Sequence, residues 1–262
     1  MNLLAIGDVF GETGRRAVAQ WLPRLREEHD AAFVVVNVEN IKGGRGVDAA
    51  GARAMLEAGA DCLTSGNHVW AQKGHDQLLE REPRLLRPFN YPEPCPGRGF
   101  LVAPSLAGLR IAVVNLQGRV FMPPVDDPFR AADRVLEQLS GRADAIVVDF
   151  HAEASSEKLA LAAYLDGRVA GVFGTHTHVQ TADARVLPGG TGYITDLGMT
   201  GPYSGVIGMQ REAALRRFLT GRPGHADPSD GEPGLRGALF EIDEGSGRAT
   251  AVRRLARGAG GA

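Results

Sequence analysis

The sequence predicts an α/β domain built on a partly parallel sheet. Short apolar, often β-branched runs recur along the chain, and helix-period segments lie between several of them. The C-terminal part differs: it reads as further strands without helices between them, which calls for a second sheet or a mixed one.

The apolar runs are residues 3–6, 33–38, 62–64, 111–116, 145–148 and 169–173. Each is bounded by glycine or polar residues, as buried strands are. After the first run, Val18, Trp21, Leu22 and Leu25 follow the i, i+3, i+4, i+7 spacing of one helix face. Pro23 falls inside that pattern, so a bend or an early end is expected. Residues 46–58 suit a second helix with Gly59 as its stop. Residues 130–139 and 155–165 suit two more, the latter capped by Ser155 or Ser156. Residues 193–197 read as a strand, and 239–242 with 250–253 as a hairpin. Residues 220–234 hold three Pro and four Gly and should form a mobile loop. One domain is expected over residues 1–256, with 257–262 as a frayed tail.

A chain of 262 residues can bury a sizeable core, and 44 % hydrophobic with 23 % charged residues is ordinary for a soluble globular protein. The formal net charge of -2 gives no global field that would draw in nucleic acid or anionic lipid. A local basic patch, and with it RNA binding, stays open, as does a homo-oligomer. Cys62 and Cys95 form no CxxC pair, which disfavours a disulfide framework and a structural zinc site. The apolar start is too short for a signal peptide, and no apolar stretch approaches the ~20 residues that span a bilayer. A cytoplasmic protein without membrane contact is expected.

The chemistry-bearing residues sit just past the strand ends. Gly7-Asp8 comes after the first run, Glu39-Asn40 after the second, and Ser65-Gly66-Asn67-His68 after the third. Phe150-His151 and Gly174-Thr175-His176-Thr177-His178 come after two later ones. Carboxyl ends of strands are where α/β sheets bind ligands. A Gly-Asp after a strand is usually a turn, Glu39-Asn40 could cap a helix, and a single histidine is more often a core residue than a ligand. The His176-Thr177-His178 spacing is stronger, since alternate residues of an extended segment point the same way, although a turn could also bring the pair together. Chance is a poor account of all five together.

Imidazole with carboxylate and amide oxygen, and without thiolate, suits Fe, Mn, Zn or Co. The histidines are too many for a Mg or Ca site. A carboxylate in the middle of the set can bridge two ions ~3.5–4 Å apart, as in two-metal hydrolases.

Gly7-Asp8, Gly66-Asn67-His68, His151 and Gly174-Thr175-His176-Thr177-His178 resemble the motif series of the calcineurin-like metallophosphoesterases. More narrowly, Gly7-Asp8-Val9-Phe10-Gly11, Asn37-Val38-Glu39-Asn40, Gly66-Asn67-His68-Val69-Trp70, the run from Thr175 to Asp183 and Thr195-Asp196-Leu197-Gly198-Met199-Thr200-Gly201 resemble their YmdB-like branch. The resemblance covers nearly the whole chain up to the hairpin. It implies a four-layer α-β-β-α sandwich of two mixed sheets. It also implies hydrolysis of phosphodiesters such as 2′,3′-cyclic nucleotides, with 3′,5′-cyclic ones as further candidates. By analogy, Asp8, Glu39, Asn40 and His178 would hold one metal ion. Glu39, Asn67, His151 and His176 would hold the other, with Glu39 bridging. Fe or Mn, or else Zn, is the expected metal. His68 would sit beside the leaving group. Phe10 stands where the wider superfamily has a histidine ligand, and Glu39 where it has a bridging aspartate.

The chemistry expected of such a pair is in-line attack on phosphorus by a water activated between the ions. Histidine, with an ordinary pKa near ~6.5, can protonate the leaving oxygen, which suits His68; the alternative for His68 is an orienting role. Lys42, Arg45 and Arg119 are candidates for substrate contacts, or else solvated loop residues. A phosphomonoesterase or nucleotidase with the same core remains the alternative enzyme. A regulatory nucleotide-binding protein is the alternative of another class, and the intact donor set argues against it.

Overall fold

The computed structural model describes residues 1–258 and 260. In chain order the elements are β1 (Asn2–Ile6), α1 (Gly11–Glu28), β2 (Ala31–Asn37), α2 (Ala49–Glu57), β3 (Cys62–Thr64), α3 (His75–Arg81), β4 (Phe100–Pro104) and β5 (Arg110–Gln117). Then come α4 (Pro128–Leu139), β6 (Ala145–His151), α5 (Ser155–Leu165), β7 (Gly171–Thr175), β8 (Arg185–Val186), β9 (Gly192–Ile194), β10 (Gly201–Pro202), α6 (Arg211–Thr220), β11 (Pro233–Ile242) and β12 (Ala249–Gly258).

The strands form two mixed six-stranded sheets. The first runs β10-β11-β1-β2-β3, with β12 also paired to β11; the second runs β4-β5-β6-β7-β9-β8. β1, β2 and β3 are parallel, as are β5, β6, β7 and β9. β11 runs antiparallel to β1 and β12.

Alternation within the strands decides the layers. Leu3, Ala5, Phe33 and Val35 of the first sheet share one core with Ile111, Val113, Val147 and Phe173 of the second. Their sequence neighbours Leu4, Ile6, Val34 and Val36 face the other way, onto Val18, Leu22, Leu25 and Met55 of α1 and α2. On the far side, Ala112, Val114, Val148 and Val172 pack on Ala131, Val135, Leu161 and Leu165 of α4 and α5. The result is the expected four-layer α-β-β-α sandwich. Each such buried Val, Leu, Ile or Phe contributes ~1.5–3 kcal/mol. No described helix is long and apolar enough to cross a membrane. Cys62 and Cys95 are both free.

Several boundaries differ from expectation. α1 continues through Pro23. Pro23 and Ala19, whose carbonyl loses its helical donor there, are both exposed, so the lost bond falls on the solvent side of the helix. α2 starts at Ala49 rather than residue 46, because the Asp48 side chain accepts from Gly51 N and caps it. Ser155 is the first residue of α5, and neither Ser155 nor Ser156 is its cap; Ala154 takes that place without a side-chain bond. The segment 220–234 is partly ordered: Gly221 closes α6, Pro228 bridges to Met209, and β11 begins at Pro233. Arg257 and Gly258, expected in the tail, still pair with Leu235 and Gly234. Of the expected tail, Ala259, Gly261 and Ala262 lie outside the described residues.

Candidate metal centre

Parallel strands send their carboxyl ends to one edge, and both sheets do so on the same side. Asp8 follows β1, Glu39 and Asn40 follow β2, and Asn67 and His68 follow β3. His151 ends β6, and His176 and His178 follow β7. All eight meet. Glu39 Oε2 lies 3.1 Å from His151 Nε2. The same nitrogen lies 3.1 Å from Asn67 Oδ1 and 3.1 Å from His176 Nδ1. Donor atoms of Glu39, His151 and His176 all fall within 4.8 Å of one another. Asp8 Oδ1 lies 4.0 Å from His151 Nδ1 and 3.9 Å from His178 Nε2. Asn40 Nδ2 stands 3.0 Å from Glu39 Oε1 and 3.0 Å from His178 Nε2. The oxygen of Asn40 faces His68 Nδ1 at 2.9 Å.

Backbone geometry serves this convergence. A Cβ at Gly66 would lie 2.2 Å from the His151 ring and 2.4 Å from Glu39 Oε2, so only glycine lets the chain pass. His176 and His178 are not on an extended segment. Both take positive φ, 100° and 65°, so a turn after β7 brings them together. Such residues cost about 1–3 kcal/mol each and persist where the surroundings hold them. Thr177 N and Oγ1 both donate to Asp196 Oδ2, at 3.1 and 2.8 Å. Buried Lys158 donates to the same oxygen at 2.7 Å.

Sequence reading missed the support behind the ligands. Thr175 Oγ1 donates to Asp149 Oδ1 at 2.7 Å, and His151 Nδ1 lies 2.9 Å from that hydroxyl. Asp149 also accepts from Thr64 Oγ1 and from Asn37 Nδ2. Asn37 Oδ1 in turn accepts from Glu39 N at 3.1 Å. The available signal was spacing: Asp149 stands two before His151 on β6 and so shares its face. His178 Nδ1 donates to the carbonyl of Ile207 at 2.9 Å, and His176 Nε2 lies 3.1 Å from Glu153 Oε2. Neither Ile207 nor Glu153 carries a sequence signal.

The electrostatics favour a cation. Burial pushes the Asp8 carboxyl above its ordinary range, and His178 and His151 offset this only in part. Its Oδ1 is buried without a hydrogen-bond partner. An orphaned acceptor costs ~1–3 kcal/mol or more unless something positive satisfies it. Burial also works against the Glu39 charge, but His151 and then His68 hold that carboxyl well below its usual value. Burial opposes protonation of His151, yet Glu39, Asp8 and Asp149 outweigh it and raise the ring to about 9. Burial, then the charge on His151, lowers His176 to about 3. Surroundings that draw a proton onto His151 would draw a metal ion to the same place, so the donor set fits a transition metal.

A cleft of about 310 Å³ opens on Glu39, Asn40, His68, His176 and His178. Phe10, Gly44, Glu153, Thr177, Ile207 and Met209 also line it. Phe10 packs edge-on to His178 at 5.6 Å, and a Cβ on Gly208 would strike its ring at 2.7 Å. Lys42 pairs with Asp48 and Arg119 with Asp127. Neither they nor Arg45 line the cleft. His29, His75 and His225 lie apart from it as well.

The family model described as YmdB-like protein matches residues 4–255. A Bacillus subtilis protein named 2′,3′-cyclic-nucleotide 2′-phosphodiesterase is 45 % identical over 255 residues, covering 97 % of this chain and 96 % of its own. The crystal structure of a hypothetical protein from Thermus thermophilus superposes with a TM-score of 0.92 at 45 % identity, covering 98 % of this chain and 99 % of its own. That of a novel phosphatase from Mycoplasma pneumoniae gives 0.92 at 34 % identity, covering 98 % and 93 %. The chain therefore belongs to the YmdB-like protein family.

Proposed function

We propose that this chain is a metal-dependent phosphodiesterase that opens cyclic nucleotides, 2′,3′-cyclic ones first and 3′,5′-cyclic ones as further candidates. It is a phosphoric ester hydrolase. The B. subtilis relative's name supports the phosphodiester class. The carrying observation is the convergence of Glu39, Asn67 and His176 on His151, beside an unpaired buried Asp8 oxygen that His151 and His178 flank.

Two ions, Fe or Mn in preference and Zn as the alternative, would neutralise phosphate oxygens and acidify water when bound. Asp8, Glu39, Asn40 and His178 would hold one, and Glu39, Asn67, His151 and His176 the other. The two oxygens of Glu39 support a bridging role: Oε2 faces His151, and Oε1 faces Asn40. Asn40 presents nitrogen to Glu39 and His178, and an amide nitrogen does not ligate a cation. Its role therefore requires a half-turn of the amide, which aims the oxygen at the ligands and the nitrogen at His68. The Thr175 hydroxyl hydrogen is spent on Asp149, so its lone pair accepts from His151 Nδ1–H and leaves Nε2 free to ligate. Ile207 does the same for His178. His68 Nδ1 is occupied by Asn40 and the residue lines the cleft, which supports Nε2 as the group that protonates the leaving alkoxide.

The test is metal analysis of purified protein with a panel of mono- and diesters. Turnover of bis-p-nitrophenyl phosphate and 2′,3′-cyclic AMP with added Mn is expected. Faster hydrolysis of nucleoside monophosphates than of any diester would favour the nucleotidase, and binding without turnover a regulatory protein.

A further inference from the structure

Among the described residues that line the cleft, Glu153 is the one titratable side chain that neither the metal set nor the leaving group needs. Its carboxylate stands 3.1 Å from His176 Nε2 and is 49 % exposed, so it keeps a face toward the cleft. Among the described residues, none of those lining the cleft is Lys or Arg. Of the candidate cations of the sequence, Lys42 pairs with Asp48 and Arg119 with Asp127, Arg45 is exposed outside the lining, and the buried Lys158 behind His176 is held by Asp196. Among the described lining residues, positive charge can thus come only from histidine, and from metal when bound, while Glu153 adds a negative charge at the wall.

This matters for the charge of what enters. A phosphodiester carries one negative charge at neutral pH. A monoester carries ~1.5 to 2, because its second ionisation lies near pH 6. The extra charge gains nothing from a wall without Lys or Arg and is repelled by the carboxylate. Discrimination built on an unfavourable contact with the wrong ligand is a general device.

We infer that Glu153 is a charge filter: it admits the monoanionic diester, disfavours the monoester, and so hastens release of the monoester product. The inference rests on the phosphodiesterase reading above. Glu153 also accepts from His176, so its charge must be separated from that role. Glu153→Gln does so, because the amide oxygen still accepts from Nε2–H while the charge is gone.

The experiment compares wild type, Glu153→Gln and Glu153→Asp, each loaded with Mn and checked for metal content. The readouts are kcat/KM for bis-p-nitrophenyl phosphate against p-nitrophenyl phosphate, and inhibition by 3′-AMP. Glu153→Gln should shift the ratio about tenfold toward the monoester and tighten 3′-AMP inhibition by a similar factor. Glu153→Asp should keep the wild-type preference. If Glu153→Gln changes both substrates equally and leaves 3′-AMP inhibition unmoved, Glu153 only orients His176 and the filter is refuted. If wild type itself prefers the monoester, the phosphodiesterase reading fails and the filter with it. The wild-type ratio alone therefore separates the two failures.

Discussion

The hydroxyl of Thr175 stands 2.7 Å from a carboxylate oxygen of Asp149 and can only donate to it. That direction fixes the next link, in which Thr175 accepts from His151 Nδ1. Thr175→Val keeps the shape and removes the link. Metal affinity should fall about 10–100-fold at one of two sites, as measured by calorimetric titration with Mn. Thr175→Ser should restore it. Wild-type affinity in Thr175→Val would show that the chain of bonds does not set the ring.

A bridging carboxylate neutralises both cations at once. Glu39→Gln keeps the shape and loses a full charge, so occupancy of both sites should drop, whereas Asn67→Ala should weaken mainly one. Metal content by mass spectrometry decides between them. Two ions per chain at undiminished affinity in Glu39→Gln would remove Glu39 as the bridge.

For His68, the leaving group is the diagnostic. His68→Ala should keep its metals and lose roughly 10²–10⁴-fold in kcat on a poor leaving group. The loss should shrink with p-nitrophenolate, which needs no proton. Equal losses on both would assign His68 to orientation instead.

Asn40→Ala should lower metal content at one site together with activity, and excess Mn should recover part of each. Phe10→Ala should leave metal content nearly intact and act through packing, since the ring fills the space against Gly208 and His178. Normal metal content in Asn40→Ala would leave the first ion without its proposed fourth donor.

Proton and metal compete for His151, because only the neutral ring ligates. Burial opposes its charge, but Glu39, Asp8 and Asp149 raise it to about 9. Apparent Mn affinity should therefore climb as pH rises from about 6.5 to about 9, with proton release on binding. The sign for the metal-free fold is opposite. A folded pKa above the unfolded one stabilises below about 6.5, and that contribution is lost as pH rises through about 9. An affinity flat across this window, in titrations run in buffers of different ionisation enthalpy, would contradict the competition.

Legibility tracked burial. β1, β2, β3, β6 and β7 carry apolar runs because both faces of each are covered, and those runs located the strand ends where all eight candidate residues gather. α6 left no pattern to read, since none of its residues is buried. β4 was missed for a related reason: it lies at a sheet edge and is only partly covered. Asp149 and Lys158 are polar residues inside apolar surroundings. Their meaning depends on partners in the other sheet or beyond the next strand, which local spacing does not report. Glu153 and Ile207 lie in loops, where the path of the chain and not its periodicity places them.

The backbone of His176 donates to the Asp8 side chain across 168 positions of sequence. β1, which leads to Asp8, is itself clasped between β2 and β11. Neither sheet alone can therefore assemble the donor set. During synthesis, Asp8 emerges first but finds its last companions only after β7 and the turn beyond it have been made. A product that ends before β7 would hold the early motifs without the cage. A bound ion would favour only the finished molecule, by ~2.7 kcal/mol at a hundredfold excess over Kd. Metal retention would thus report that both sheets have docked, whether or not any substrate has been tried.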